Sequence, residues 1–151
     1  MKKLRLNNRL KKKEGAISVE AAAVIMLTFP TLLLFLVGSF TFFSAHSKNL
    51  DLNYEAGRYA SMAGCKVTSL STSITNDPRF DKYTIFVSEG SGEPVQLKDG
   101  TGGRIYISCA ADSKKGNKFT VLTSYPVNSG GFGKFFPLNS TYKGIYIQEG
   151  A

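Results

Sequence analysis

The chain has 151 residues, a formal net charge of +8, two cysteines and one histidine. Its basicity is local: residues 1–15 hold seven basic residues against Glu14, while the rest carries 12 basic and 10 acidic residues. This argues against a nucleic-acid partner, which needs cations clustered on the folded part, and so few histidines and cysteines leave a four-ligand zinc site short of donors.

Residues 1–15 read as a basic leader, and residues 16–64 as one long helix. From Ala21 to Phe43 there are 23 residues without a charge. As a helix that run is about 35 Å long, enough to cross a hydrocarbon core of about 30 Å. It is apolar all round, whereas a soluble surface helix shows one apolar stripe. Basic residues before it, and only Lys48 soon after, set the expected orientation: N-terminus in the cytoplasm, C-terminal part outside. Pro30 predicts a kink near residues 26–30, and Thr28 and Thr31 are placed to satisfy carbonyls freed there.

Beyond the apolar run, "SAHSKNLDLNYEAGRYASMAG" becomes amphipathic. Leu50, Tyr54, Gly57 and Ser61 share a face at helical spacing, and Glu55 and Arg58 form an i,i+3 ion pair. Tyr54 and Tyr59 are expected to pack between helix and sheet, and Gly64 is the expected stop. "VTSLSTSI" spaces Val67, Leu70 and Ile74 for a short helix, which "NDP" at 76–78 ends.

From Tyr83 the period becomes two. "YTIFVS" puts Tyr83, Ile85 and Val87 on one face. "GRIYISCA" does so for Ile105, Ile107 and Cys109, and "KFTVLTSY" for Phe119, Val121, Thr123 and Tyr125. "YKGIYIQ" is the expected last strand and residues 94–98 a short extra one. "EGSGE", "KDGTGG", "DSKKGN" and "NSGGFGK" between them are turn chemistry. "DGTGGR" lacks the Lys-Ser/Thr ending of a phosphate loop and reads as a hairpin turn. Phe132, Phe135 and Phe136 either pack under the sheet edge or present a sticky contact to a partner. The expected fold is α+β: a long, partly transmembrane helix (16–64) followed by a small antiparallel sheet domain (65–151) with one buried face. Cys65 at the helix end and the inward-facing Cys109 would lie in the exported part. A Cys65–Cys109 disulfide is expected there, with two free buried thiols as the alternative.

"KKKEGAISVE", residues 11–20, places Glu20 at the edge of the apolar run. Near a helix N-terminus a carboxylate gains from the macrodipole. If the chain is cut between Gly15 and Ala16, Glu20 becomes the fifth residue, an anion near the new α-amine. A basic leader, Gly15-Ala16, Glu20 and an apolar helix together resemble the class III signal sequences of type IV pilins. "GAISVEAAAVIMLTFPTLLLFLVGSF" is similar to the TadE-like minor pseudopilins of the tight-adherence pilus system. In "NYEAGRYASMAG", residues Gly57, Arg58, Tyr59 and Ala60 resemble that family's Gly-x-Arg-x-Ala segment.

The resemblance covers about residues 9–64 and implies a pilin-like fold. Its partners would be a prepilin peptidase, other pilin subunits and pilus assembly machinery, and the lipid bilayer. The chain departs from type IVa pilins in starting its mature part with Ala16 rather than phenylalanine, which leaves N-methylation of Ala16 open. No catalytic constellation or cofactor is expected: His46 has no nucleophile at a telling position, so the chain reads as a peptidase substrate and not an enzyme. The expected location is the cytoplasmic membrane with the C-terminal domain outside, then the cell surface or a pilus. The main alternative is an uncut single-pass membrane protein with an extracytoplasmic binding domain. A third reading, a soluble domain freed by signal peptidase, suits the sequence less: a 23-residue run is too long for a secretory signal core.

Overall fold

The computed structural model describes residues 2–112, 114–127 and 138–149, with side chains described from Ser18 onward. Phe132, Phe135 and Phe136 lie outside the described residues. The chain divides into two units, Met1–Phe40 and Thr41–Ala151.

Helix α1 runs Lys2–Met62, so it begins well ahead of the expected Ala16. The reason is local: Lys, Leu and Arg are good helix formers, and neither glycine nor proline interrupts them before Gly15. The helix also continues through Pro30. Thr28 Oγ1 donates to the Val24 carbonyl at 2.8 Å, and Thr31 Oγ1 to the carbonyls of Leu27 at 3.0 Å and Thr28 at 2.8 Å. The hydroxyls therefore serve carbonyls on either side of Met26, whose own i+4 donor proline removes. α1 ends in a Schellman arrangement: the Cys65 amide reaches the Ala60 carbonyl at 3.0 Å and the Gly64 amide that of Ser61 at 3.4 Å, with Gly64 at φ 63°, a conformation glycine adopts without a Cβ penalty.

In the second unit, helix α2 (Val67–Thr75) buries Leu70 and Ile74, as their spacing predicts. A 3-10 turn, Pro78–Phe80, buries Phe80. Five strands follow: β1 (Tyr83–Glu89), β2 (Val95–Lys98), β3 (Gly103–Cys109), β4 (Lys118–Val127) and β5 (Leu138–Ile147). They form one sheet in the order β2-β1-β3-β4-β5. Ile85, Val87, Ile105, Ile107, Phe119 and Val121 fill its inner face and pack on Ala56 and Ala60 of α1 and on Leu70, Ile74 and Phe80. Alternate residues point to opposite faces of a strand, so the period-two reading selected the correct inward set.

The antiparallel expectation is corrected in one place. β1 and β3 pair in parallel, Ile85 opposite Ile105 and Val87 opposite Ile107; the other three pairings are antiparallel, so the sheet is mixed. The segment "KDGTGG" is accordingly not a hairpin turn. It carries the chain from β2 across the start of β1 to β1's far side. The Gly102 and Gly103 amides both reach the Lys82 carbonyl, at 2.8 and 3.0 Å. A Cβ on Gly100 would stand 2.5 Å from the Tyr83 nitrogen, so backbone passes over backbone with no room for a side chain.

Candidate functional site

Two regions hold the residues singled out above. The first is the N-terminal part of α1. Gly15 and Ala16 lie within the helix, but their side chains are outside those described. Glu20 is exposed, as is every side chain from Ser18 to Val37. Leu27, Phe29, Leu33 and Phe35 are among them, at 73, 61, 47 and 64 % exposure. Apolar area of this kind gains about 25 cal/mol per Å² when removed from water. Ser18–Met62 includes a window apolar enough to cross a membrane.

The second region is the seam between the end of α1 and the sheet. Its buried stripe is Asn49, Asn53, Ala56 and Ala60, spaced four, three and four. Of the expected face, Gly57 and Ser61 are buried against the sheet, but Leu50 is 39 % and Tyr54 62 % exposed, and Tyr54 does not pack between helix and sheet. Both asparagines are fully buried, and backbone carbonyls of β4 and β5 accept from both side-chain amides. Asn49 Nδ2 donates to the Ser140 carbonyl at 3.0 Å and lies 3.5 Å from that of Thr123. Asn53 Nδ2 donates to the Val121 carbonyl at 2.9 Å. Tyr146 then donates its hydroxyl to Asn53 Oδ1 at 2.7 Å. Burial raises the Tyr146 phenol above its ordinary value, which keeps that proton in place. A buried amide left unpaired costs about 1–3 kcal/mol; here Asn49 Oδ1 alone among the described buried side-chain polar atoms has no partner. His46 Nδ1 lies 3.0 Å from Ser140 Oγ, extending the seam by one turn.

The segment Gly57-Arg58-Tyr59-Ala60 borders this seam, and each residue has a mechanical part. A Cβ on Gly57 would stand 2.5 Å from Tyr146 Cζ, so the absent side chain makes the slot for that ring. Arg58 bonds Glu55 at 3.1 Å, the expected i,i+3 pair. Tyr59 packs edge-on against Phe80 and donates to Asp77 Oδ2 at 3.1 Å, so it faces the 3-10 turn rather than the sheet. Ala60 is fully buried. Asp77 also accepts from the Arg79 guanidinium at 2.6 Å, and that bond, chiefly, holds its carboxyl at about 2 against an ordinary 3.8.

Cys65 and Cys109 form a disulfide, with Cα atoms 6.0 Å apart and a sequence separation of 44. It ties the end of α1 to the end of β3. The two asparagines were missed by reading Leu50 and Tyr54 as the inner stripe. The signal available was the Asn-x3-Asn-x2-Ala-x3-Ala spacing itself, which is as helical as the stripe chosen. No group of three or more His, Cys, Asp or Glu side chains that could hold a metal occurs among the described residues.

No protein-family model, curated protein or solved structure matches the chain. The chain is an α+β protein with, among its described residues, one candidate membrane-spanning helix, and with a disulfide-tied domain.

Proposed function

We propose that the chain is a structural subunit or assembly factor of a surface pilus: a TadE-like minor pseudopilin, cut between Gly15 and Ala16 by a prepilin peptidase. The carrying observation is the sequence "KKKEGAISVE" joined to a charge-free run whose side chains are exposed around the whole helix. A helix apolar on every side suits a bilayer before assembly and a filament core after it, since both are dry. The seam residues support a holding role for the second unit, because each is engaged in packing or hydrogen bonding rather than presented to a substrate. In this reading the chain is not an enzyme, and its N-terminus starts in the cytoplasm with the domain outside.

Glu20 is the acid near the amine that cleavage at Ala16 would create. Taking an unpaired ammonium out of water costs several kcal/mol, so Glu20 would pair with it during assembly. The test has two parts. N-terminal sequencing of the exported protein should begin "AISVE"; an intact leader in cells carrying the peptidase favours the uncut single-pass alternative. Glu20→Ala and Glu20→Gln should insert and be cut normally, yet be depleted from sheared filaments. Recovery of both variants at the wild-type proportion would reduce Glu20 to a helix-start residue.

A further inference from the structure

The sheet ends in two edge strands that differ in protection. β2 has four residues, follows Pro94 and pairs through a register shift at Ile85/Phe86. Short length, proline and irregular pairing are the usual means of blunting an edge. β5 has ten residues, no proline and one charge, Lys143.

Which backbone groups of β5 face outward follows from the register. The Gln148 amide donates to the Asn117 carbonyl at 2.9 Å, and Phe119 faces Tyr146, Val121 faces Gly144 and Thr123 faces Tyr142. Hydrogen-bonded and non-hydrogen-bonded pairs alternate in an antiparallel ladder. Even-numbered residues of β5 therefore bond to β4, and odd-numbered ones turn their N–H and C=O groups away from it. Pro126 agrees: it faces Asn139, an odd position where β5 asks for no amide. The end of α1 takes two of these outward groups: Ser61 Oγ donates to the Ile147 carbonyl at 2.7 Å, and the Glu149 amide reaches the Ser61 carbonyl at 3.3 Å. Among the described residues nothing takes those of Asn139, Thr141, Lys143 and Ile145.

The two flanks of this open stretch differ: outside, Asn139, Thr141 and Lys143 are polar and Ile145 alone is apolar. On the outer face Ile145 is 67 % exposed. On the inner side Leu50 and Tyr54 of α1, with Tyr142 and Tyr146, form the apolar wall of a groove of about 730 Å³ that Lys48, Asp51, Glu55 and Arg79 also line. Lys143 is exposed at the centre and makes no ion pair among the described residues.

We propose that the β5 edge from Asn139 to Ile145 is a docking site for an extended strand of another protein, with apolar side chains at alternate positions and a carboxylate opposite Lys143. Main-chain bonds supply the affinity in this mode, and the flanking side chains the choice of partner. The lone lysine decides the partner's chemistry. It disfavours a second β5 laid in register upon it, because like charges directly opposite repel.

The test uses the full chain in detergent micelles and a capped peptide, Ser-Thr-Val-Thr-Val-Glu-Val-Thr-Val-Ser. Amide hydrogen exchange is read residue by residue. Added peptide should slow exchange at Thr141, Lys143 and Ile145 and leave Tyr142 and Gly144 as they were. Replacing the peptide's glutamate by lysine should weaken binding about two- to fivefold, and Lys143→Glu should reverse that preference. Thr141→Pro removes an outward amide without touching the β4 ladder, and should weaken binding about tenfold. Exchange at the odd positions unchanged at millimolar peptide would overturn the proposal, and this readout needs no variant. So would odd-position protection that rises with protein concentration alone, which would make a second copy the occupant.

Discussion

Gly57→Ala separates the packing account of the Gly57–Ala60 segment from helix propensity, because the two predict opposite signs. Alanine in a helix interior is favoured over glycine by about 1 kcal/mol. The added Cβ, however, would stand 2.5, 2.6 and 2.7 Å from Cζ, Cε1 and Cε2 of Tyr146. That ring cannot simply withdraw. Its hydroxyl is bonded to Asn53 Oδ1 at 2.7 Å, and Phe119 stacks beside it at 5.7 Å. Displacing it costs an overpacking penalty of about 1–3 kcal/mol and a hydrogen bond worth about 1 kcal/mol. The expected net effect is a loss of about 1–3 kcal/mol, a fall in melting temperature of about 4–12 °C for a unit of this size. Thermal unfolding followed by near-UV circular dichroism checks it on the full chain in micelles. In a Tyr146→Ala background the clash is gone, so Gly57→Ala should become stabilising by about 1 kcal/mol. A neutral or stabilising Gly57→Ala in the wild-type background would refute the reasoning, whatever the second background shows.

Two further outcomes are expected. Cys65→Ser with Cys109→Ser, or reduction of the native protein, should lower stability by about 4 kcal/mol, the chain-entropy value for a loop of this length; a melting temperature that reduction leaves within about 2 °C would show that the bridge does not set the stability of the domain. For Asp77 the folded-state value is depressed, to about 2 from 3.8. Its contribution is therefore complete above the unfolded value and is lost as pH falls from about 5 toward 2. Arg79 is half exposed, so screening limits the effect to about 1 kcal/mol. The melting temperature of wild type should fall more steeply across that window than that of Asp77→Asn, and parallel curves would count against the pairing.

What was legible in the sequence was local in origin. A charge-free run marks a helix apolar enough to cross a membrane, because length and composition alone set that test. Alternation of apolar residues selected Ile85, Val87, Ile105, Ile107 and Val121 as core, because each strand's faces depend on its own backbone geometry. Leu70 and Ile74, the Glu55–Arg58 pair and the Gly64 stop follow from spacing or residue type in the same way. The partner of Cys65 was legible for a different reason: there was one other cysteine, and it faced inward.

Pairing partners were not legible, because side-chain alternation is identical in parallel and antiparallel strands. The parallel match of β1 with β3 became visible only when "KDGTGG" was seen to cross β1 instead of turning beside it. The burial of Asn49 and Asn53 depended likewise on carbonyls of Val121 and Ser140, brought to α1 from 68 and 91 residues away. An asparagine stripe reads as solvent-facing until a satisfied acceptor is known to wait for it, since burial without one is unfavourable. The elements, the strands' inward faces and the oily helix could thus be read from sequence, being set within a few residues of chain, whereas the inward face of α1 near residue 50 could not. Tertiary structure alone decided strand order, the polar seam and the open edge of β5, because each is a relation between backbone groups that no local pattern encodes.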